Sequence, residues 1–189
     1  AKVVSIEVDE RLPPLLAETM AGVDNFKLVL QDVLKVDLKA LIAEEFPGMP
    51  VAVCANLPYY ITSPIIMRLL EGPLPIRSLT VMVQKEVASR LCAGRGEDCC
   101  GAVTLAVQYY AAVRKLFGVP AGCFSPPPKV DSAVVRLDPY TVPPVDTGDE
   151  AMFFQLIKAA FAQRRKTLLN SLSAAFADRA DKERISATI

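Results

Sequence analysis

The sequence predicts an α/β fold followed by a small all-helical unit, and three observations lead there. Short apolar runs, each closed by a polar residue, alternate with helix-like stretches through the first ninety residues. Prolines at 139, 143 and 144 then break the pattern. Beyond them Phe153, Ile157, Phe161, Leu168, Leu172 and Phe176 recur mostly every four positions, as on a helical face. A chain of 189 residues with 52% hydrophobic and 22% charged residues can bury a sizeable core, which excludes intrinsic disorder.

The elements follow in order. In Ala1 to Asp9, Val4, Ile6 and Val8 alternate and the run ends on acids, as in a strand delivering carboxylates to its carboxyl edge. A helical stretch comes next. Phe26 to Leu30 before Gln31 and Asp32, Val51 to Ala55 before Asn56, and Leu79 to Val83 before Gln84 are three further strands. Helix-like segments over 38–46, 63–70 and 85–91 alternate with them, predicting a parallel sheet with helices on both faces and ligands at the strands' carboxyl ends. After Gly101 the sequence predicts a helix through Tyr109, then strands at Ala111 to Val119 and Asp131 to Leu137, separated by Pro126 to Pro128. Residues 1–140 thus form one unit. A second, over 148–189, holds two helices joined at a charged break from Arg164 to Lys166.

Composition narrows the chemistry. With no histidine, imidazole bases, His-based triads and almost every catalytic zinc site are excluded. Five cysteines without C-x-x-C spacing support neither a disulfide framework nor a metal knuckle, so a reducing, cytoplasmic setting is expected. No apolar run has the length of a membrane span. Lys plus Arg equals Asp plus Glu at 21 each, so any nucleic-acid contact needs a local basic patch. The first fifty residues carry nine acids against five bases, whereas residues 151–177 carry four bases and no acid.

The motif with the most specific chemistry is Asn56-Leu57-Pro58-Tyr59-Tyr60, straight after a strand and before a helix. An amide oxygen and a backbone carbonyl next to proline can both accept hydrogen bonds from one exocyclic amino group, while an aromatic ring stacks on the base that carries it. That arrangement suits methylation of adenine N6, because two fixed acceptors favour the pyramidal nitrogen that forms as a methyl group arrives. A bland alternative is a proline turn with two buried tyrosines.

Together with Gln84-Lys85-Glu86-Val87, the run Phe124-Ser125-Pro126-Pro127-Pro128-Lys129-Val130-Asp131-Ser132-Ala133-Val134, and Gln163-Arg164-Arg165-Lys166-Thr167 with Asn170-Ser171-Leu172, this motif resembles those of the ribosomal RNA adenine dimethyltransferases. The resemblance implies a Rossmann-like methyltransferase sheet, S-adenosylmethionine as cofactor, and N6,N6-dimethylation of adenines in small-subunit ribosomal RNA during ribosome biogenesis. The expected partner is the immature small subunit, met by a cytoplasmic monomer without metal. Macrolide-resistance methylases share the Asn-x-Pro-Tyr core, but the Phe-x-Pro-Pro-Pro-Lys-Val-Asp-Ser run looks more like the housekeeping enzymes. The alternatives are a noncatalytic ribosome-assembly module and a large-subunit rRNA adenine methylase.

By position, the resemblance assigns Asn56, Leu57, Pro58 and Tyr59 to catalysis, with Phe124 as the second aromatic around a flipped base. Glu7 matches the acid that accepts from the cofactor ribose, and Asp32, followed by Val33, the acid that recognises its adenine; Asn56 also faces the cofactor. Glu7 could instead be a surface acid, Asp32 a helix N-cap, and Phe124 a packed loop residue. Arg164, Arg165 and Lys166 could neutralise RNA phosphates or merely be solvated. The family's glycine-rich loop, close to G-x-G-x-G, and the strand before it have no counterpart here. The expectation is therefore a chain trimmed at both ends, with the sheet interrupted between the strand of Glu7 and that of Asn56.

Overall fold

The computed structural model describes residues 1–72, 74–163 and 165–188. Its first strand, β1 (Val3–Glu7), leads through α1 (Leu12–Thr19) to β2 (Phe26–Leu30), and the two pair in parallel with Glu7 opposite Leu30. Helix α2 (Leu38–Glu45) connects to β3 (Val51–Asn56), α3 (Thr62–Leu70) to β4 (Ile76–Gln84), and α4 (Lys85–Leu91) and α5 (Ala102–Tyr110) to β5 (Ala111–Val119). Strand β6 (Ser132–Pro139) completes a second sheet in the order β3-β4-β6-β5. No strand pairing joins β1-β2 to this sheet among the described residues, as expected from the sequence. Among the described residues β3 is an edge strand, so its outer side carries open backbone groups; Ala52, Cys54 and Asn56 along it are exposed.

The core lies where alternation along β4 and β6 meets the helices. Leu79, Val81 and Val83 of β4 and Ala133, Val135 and Leu137 of β6 are fully buried with Ile66, Leu91 and Val107. The strands through Gln84 pair in parallel, as the sequence predicts, β1 with β2 and β3 with β4, whereas β6, whose direction the sequence leaves open, runs against both β4 and β5. The cause is the connection, because β5 returns to β6 through a proline-rich loop and a 3-10 turn (Ala121–Cys123), with no crossover helix to restore direction. Strand β4 also starts before Leu79, at Ile76, with buried Ser78 hidden among its apolar residues.

One buried acid ties β1-β2 to α2. Glu45 at the end of α2 pairs with Lys2 at 2.6 Å and with Lys27 of β2. These ammonium groups, Lys2 foremost, hold its carboxyl below the ordinary value of 4.5. A depressed carboxylate contributes stability above its unfolded-state pKa, and that stability is lost as pH falls through the folded-state value. Melting curves of wild type and Glu45→Gln between pH 7 and 3 should therefore lie furthest apart at neutral pH and converge in acid. A constant gap would show that the ion pairs contribute nothing.

Past β6 come three helices, α6 (Glu150–Phe161), α7 (Leu168–Ala175) and α8 (Lys182–Thr188). Asp149 and Thr167 cap α6 and α7, accepting from Met152 N at 2.9 Å and Asn170 N at 3.4 Å. Helix α8 was not legible in the sequence, because Ile185 is its one large apolar residue. Helix α6 packs on α5 through aromatic rings: Tyr109 meets Phe153 at 5.0 Å and Phe154 at 5.5 Å, and Tyr110 stacks on Phe154 at 5.5 Å. Tyr110 also donates to Glu150 at 2.6 Å. Burial, reinforced by Glu150, pushes its phenol above the ordinary range.

Candidate active site

Asn56 ends β3 opposite Met82, and Leu57 N extends the ladder by donating to Met82 O at 3.2 Å. Buried Leu57 plugs into the core, so the chain must turn immediately after it. Pro58 makes that turn, leading into a 3-10 helix, Tyr59–Ile61. Its carbonyl accepts from Ile61 N at 3.2 Å and from the Thr62 hydroxyl at 3.0 Å, seating the start of α3. The Asn56 side-chain amide and the Leu57 carbonyl have no intramolecular hydrogen bond among the described residues, so both acceptors stay open to a ligand. Tyr60 is 84% exposed, which argues against a turn that merely buries two tyrosines. Tyr59 is half-buried, with its hydroxyl 2.7 Å from that of Ser132.

Two of the other motifs converge on the same corner. Lys85, the first residue of α4, donates from its backbone to Asp131 O at 2.9 Å, and its ammonium lies 3.6 Å from the Asp131 carboxylate. The other Asp131 oxygen accepts from Ala121 N at 3.1 Å. Phe124, half-buried, closes that 3-10 turn by donating from its backbone to Ala121 O at 3.2 Å. Tyr59 and Phe124 belong to none of the aromatic pairs among the described residues, so their ring faces are not spent on each other. Asp131 and Ser132 thus tie together the strand ends, the Asn-Leu-Pro-Tyr turn and the phenylalanine loop. Sequence reasoning passed over both as structural links, although they stand inside the quoted proline-lysine run.

Glu7 and Asp32 sit at one end of the β1-β2 pair. One Glu7 oxygen accepts from Val8 N at 2.7 Å and Asp9 N at 2.9 Å; the other has no partner among the described residues. Asp9 is itself neutralised by Arg11, whose hydrogen bonds hold its carboxyl down to about 2. Asp32 does not cap a helix. It accepts from Leu34 N at 2.9 Å to close a turn over 33–35, and Asp37 caps α2 instead by accepting from Ala40 N at 2.9 Å. Val33 in that turn is half-buried against the core.

Arg165 and Lys166 are exposed between α6 and α7 and form no ion pair among the described residues; Arg164 lies outside the described residues. The five cysteines are free. No helix among the described residues is long and apolar enough to cross a membrane.

Comparison with known proteins agrees with these motifs. A family profile described as ribosomal RNA adenine dimethylase matches residues 1–188. The chain is 55% identical over 172 residues to the ribosomal RNA small subunit methyltransferase A of Geobacillus thermodenitrificans, covering 90% of this chain and 59% of that protein. It is 46% identical over 185 residues to the protein of the same name from Oceanobacillus iheyensis, covering 97% and 63%. It therefore spans about three-fifths of the length of these relatives. Among solved structures, a dimethyladenosine transferase from Plasmodium falciparum superposes with a TM-score of 0.76 at 29% identity, over 94% of this chain and 62% of that one. The 23S rRNA methyltransferase ErmE gives 0.71 at 26% identity, over 98% and 70%. With the profile running from the first residue to the last but one, the chain belongs to the ribosomal RNA adenine dimethylase family.

Proposed function

We propose that this protein transfers methyl groups from S-adenosylmethionine to N6 of adenines in small-subunit ribosomal RNA, leaving N6,N6-dimethyladenine. The observation that carries this reading is the Asn56–Tyr59 turn, which has two acceptors unengaged among the described residues beside a half-buried aromatic ring. The small subunit is favoured over the large because the relatives at about half identity carry the small-subunit name, whereas the 23S enzyme is 26% identical.

The carboxylate acceptors suit the cofactor. Among the described residues, Glu7 has a free carboxylate oxygen for ribose hydroxyls, and Asp32 one for an adenine amino group, at the same end of a parallel strand pair. When bound, the cofactor supplies an electrophilic methyl group on a sulfonium. Asn56 Oδ1 and Leu57 O accept from the target amino group and favour a pyramidal nitrogen, which takes its lone pair out of conjugation with the ring, so that the nitrogen is the nucleophile. The alkylated nitrogen then releases a proton, acidic enough for water to take it. Tyr59 and Phe124 hold the extruded base by stacking. Residues 148–189 act as an RNA-contacting unit through Arg164, Arg165 and Lys166.

The reading is tested by incubating the full-length protein with isotopically labelled cofactor and immature small subunits, then digesting the RNA to nucleosides. Labelled N6,N6-dimethyladenosine is expected. Binding without methylation would favour an assembly module instead, and label confined to large-subunit RNA would favour the other methylase reading.

Replacing Arg165 and Lys166 together by Ala should lower the salt slope of RNA binding by about two, at about one unit per lost phosphate contact, and leave cofactor affinity unchanged. A salt titration with an unchanged slope would return both residues to the solvent.

A further inference from the structure

Ser132 opens β6 at 1% exposure, paired in the sheet with Gln84 on one side and Val119 on the other. An alanine would fill that position without a hydroxyl to desolvate, and a buried hydroxyl is tolerated only with a partner. Its side-chain partner is the Tyr59 hydroxyl at 2.7 Å. Tyr59 stands on a half-exposed turn, where its ring has two rotatable bonds, and this contact fastens the far end of the ring to a strand fixed by both neighbours. The residue before Ser132 fastens the loop of Phe124, because Asp131 accepts from Ala121 N, three residues ahead of Phe124.

We propose that Ser132 is a positioning residue for methyl transfer, its hydroxyl holding the Tyr59 ring at one angle while Asp131 sets the loop of Phe124, so that two adjacent residues fix both walls of the adenine slot. The inference rests on the stacking role proposed for Tyr59. A consequence is that the Tyr59 hydroxyl is committed to the fold, so the ring meets the base through its face and takes no part in proton transfer. Geometry of this kind acts on turnover, since a misplacement of about 1 Å can cost about 100-fold in rate.

The test is a double-mutant cycle in the full-length protein with Ser132→Ala, Tyr59→Phe and the pair, measuring kcat, KM for cofactor and melting temperature on the RNA substrate. Each single variant is expected to lose about 10-fold in kcat with cofactor KM unchanged, and the pair to lose no more than the worse single, because both remove one bond. Wild-type kcat in Tyr59→Phe, or losses that multiply in the pair, would overturn the proposal. Tyr59→Phe removes the bond from the half-exposed side, so it decides the matter even if Ser132→Ala folds poorly. Failure of the wild-type protein to methylate would instead overturn the proposed function, a separate outcome.

Discussion

Asn56→Ala in the full-length protein is expected to lower methyl transfer by about 100-fold or more, with a melting temperature close to wild type. Losing one preorganised hydrogen bond to a developing charge costs about that much, and Asn56 supplies one of the two acceptors proposed for the target amino group. The other, the Leu57 carbonyl, cannot be removed by substitution. Stability should hardly move, because Asn56 is exposed at the last position of a strand whose outer edge is open, and its side chain holds nothing else among the described residues. Cofactor affinity should fall less than turnover, since the ribose and adenine are assigned to Glu7 and Asp32. Single-turnover kinetics with labelled cofactor, run beside a thermal melt, distinguish these effects. Near wild-type turnover would remove Asn56 from the reaction; a collapse of the melt would make it a structural residue.

Much of this site was legible because its residues lie at the ends of apolar runs. Phe26–Leu30 and Ala111–Val119 are strands with the predicted bounds, and Lys85–Leu91 is the predicted helix, because Gln84 and Gly101 mark real changes of direction. The antiparallel return of β6 was not legible, since periodicity carries no strand direction; only the helix-free connection from β5 does. Asp32 was ambiguous for a related reason. An Asx turn and an N-cap use the same side-chain oxygen on a backbone N–H a few residues ahead, and what separates them is whether a helix follows. The contacts from Ser132 to Tyr59 and from Glu150 to Tyr110 span distant parts of the chain, and no local pattern announces such pairs. They could be suspected only from polar residues standing where apolar ones would serve, as Ser132 does at the head of Ala133–Val135.

Phe124→Ala is the second large effect expected, and it separates the two readings of that residue. If the ring stacks on the extruded adenine, its loss should cost about 1–3 kcal/mol, the range for one base on one aromatic side chain. That corresponds to about a 5- to 150-fold fall in kcat/KM for RNA, while cofactor affinity stays constant. If the ring instead packs as core, truncation should cost about 3–5 kcal/mol of stability. The structure favours the first outcome. Phe124 is half-buried, stands apart from the buried cluster built on β4 and β6, and pairs with no other aromatic among the described residues. Its backbone is held separately, by its own bond to Ala121 O and by the bond from Ala121 N to Asp131, so the loop should keep its path without the ring. Phe124→Tyr preserves a stacking face and should stay within a few-fold of wild type. A large drop in melting temperature for Phe124→Ala with kcat/KM intact would assign the residue to the fold, and Tyr59 would then have to hold the base from one side alone.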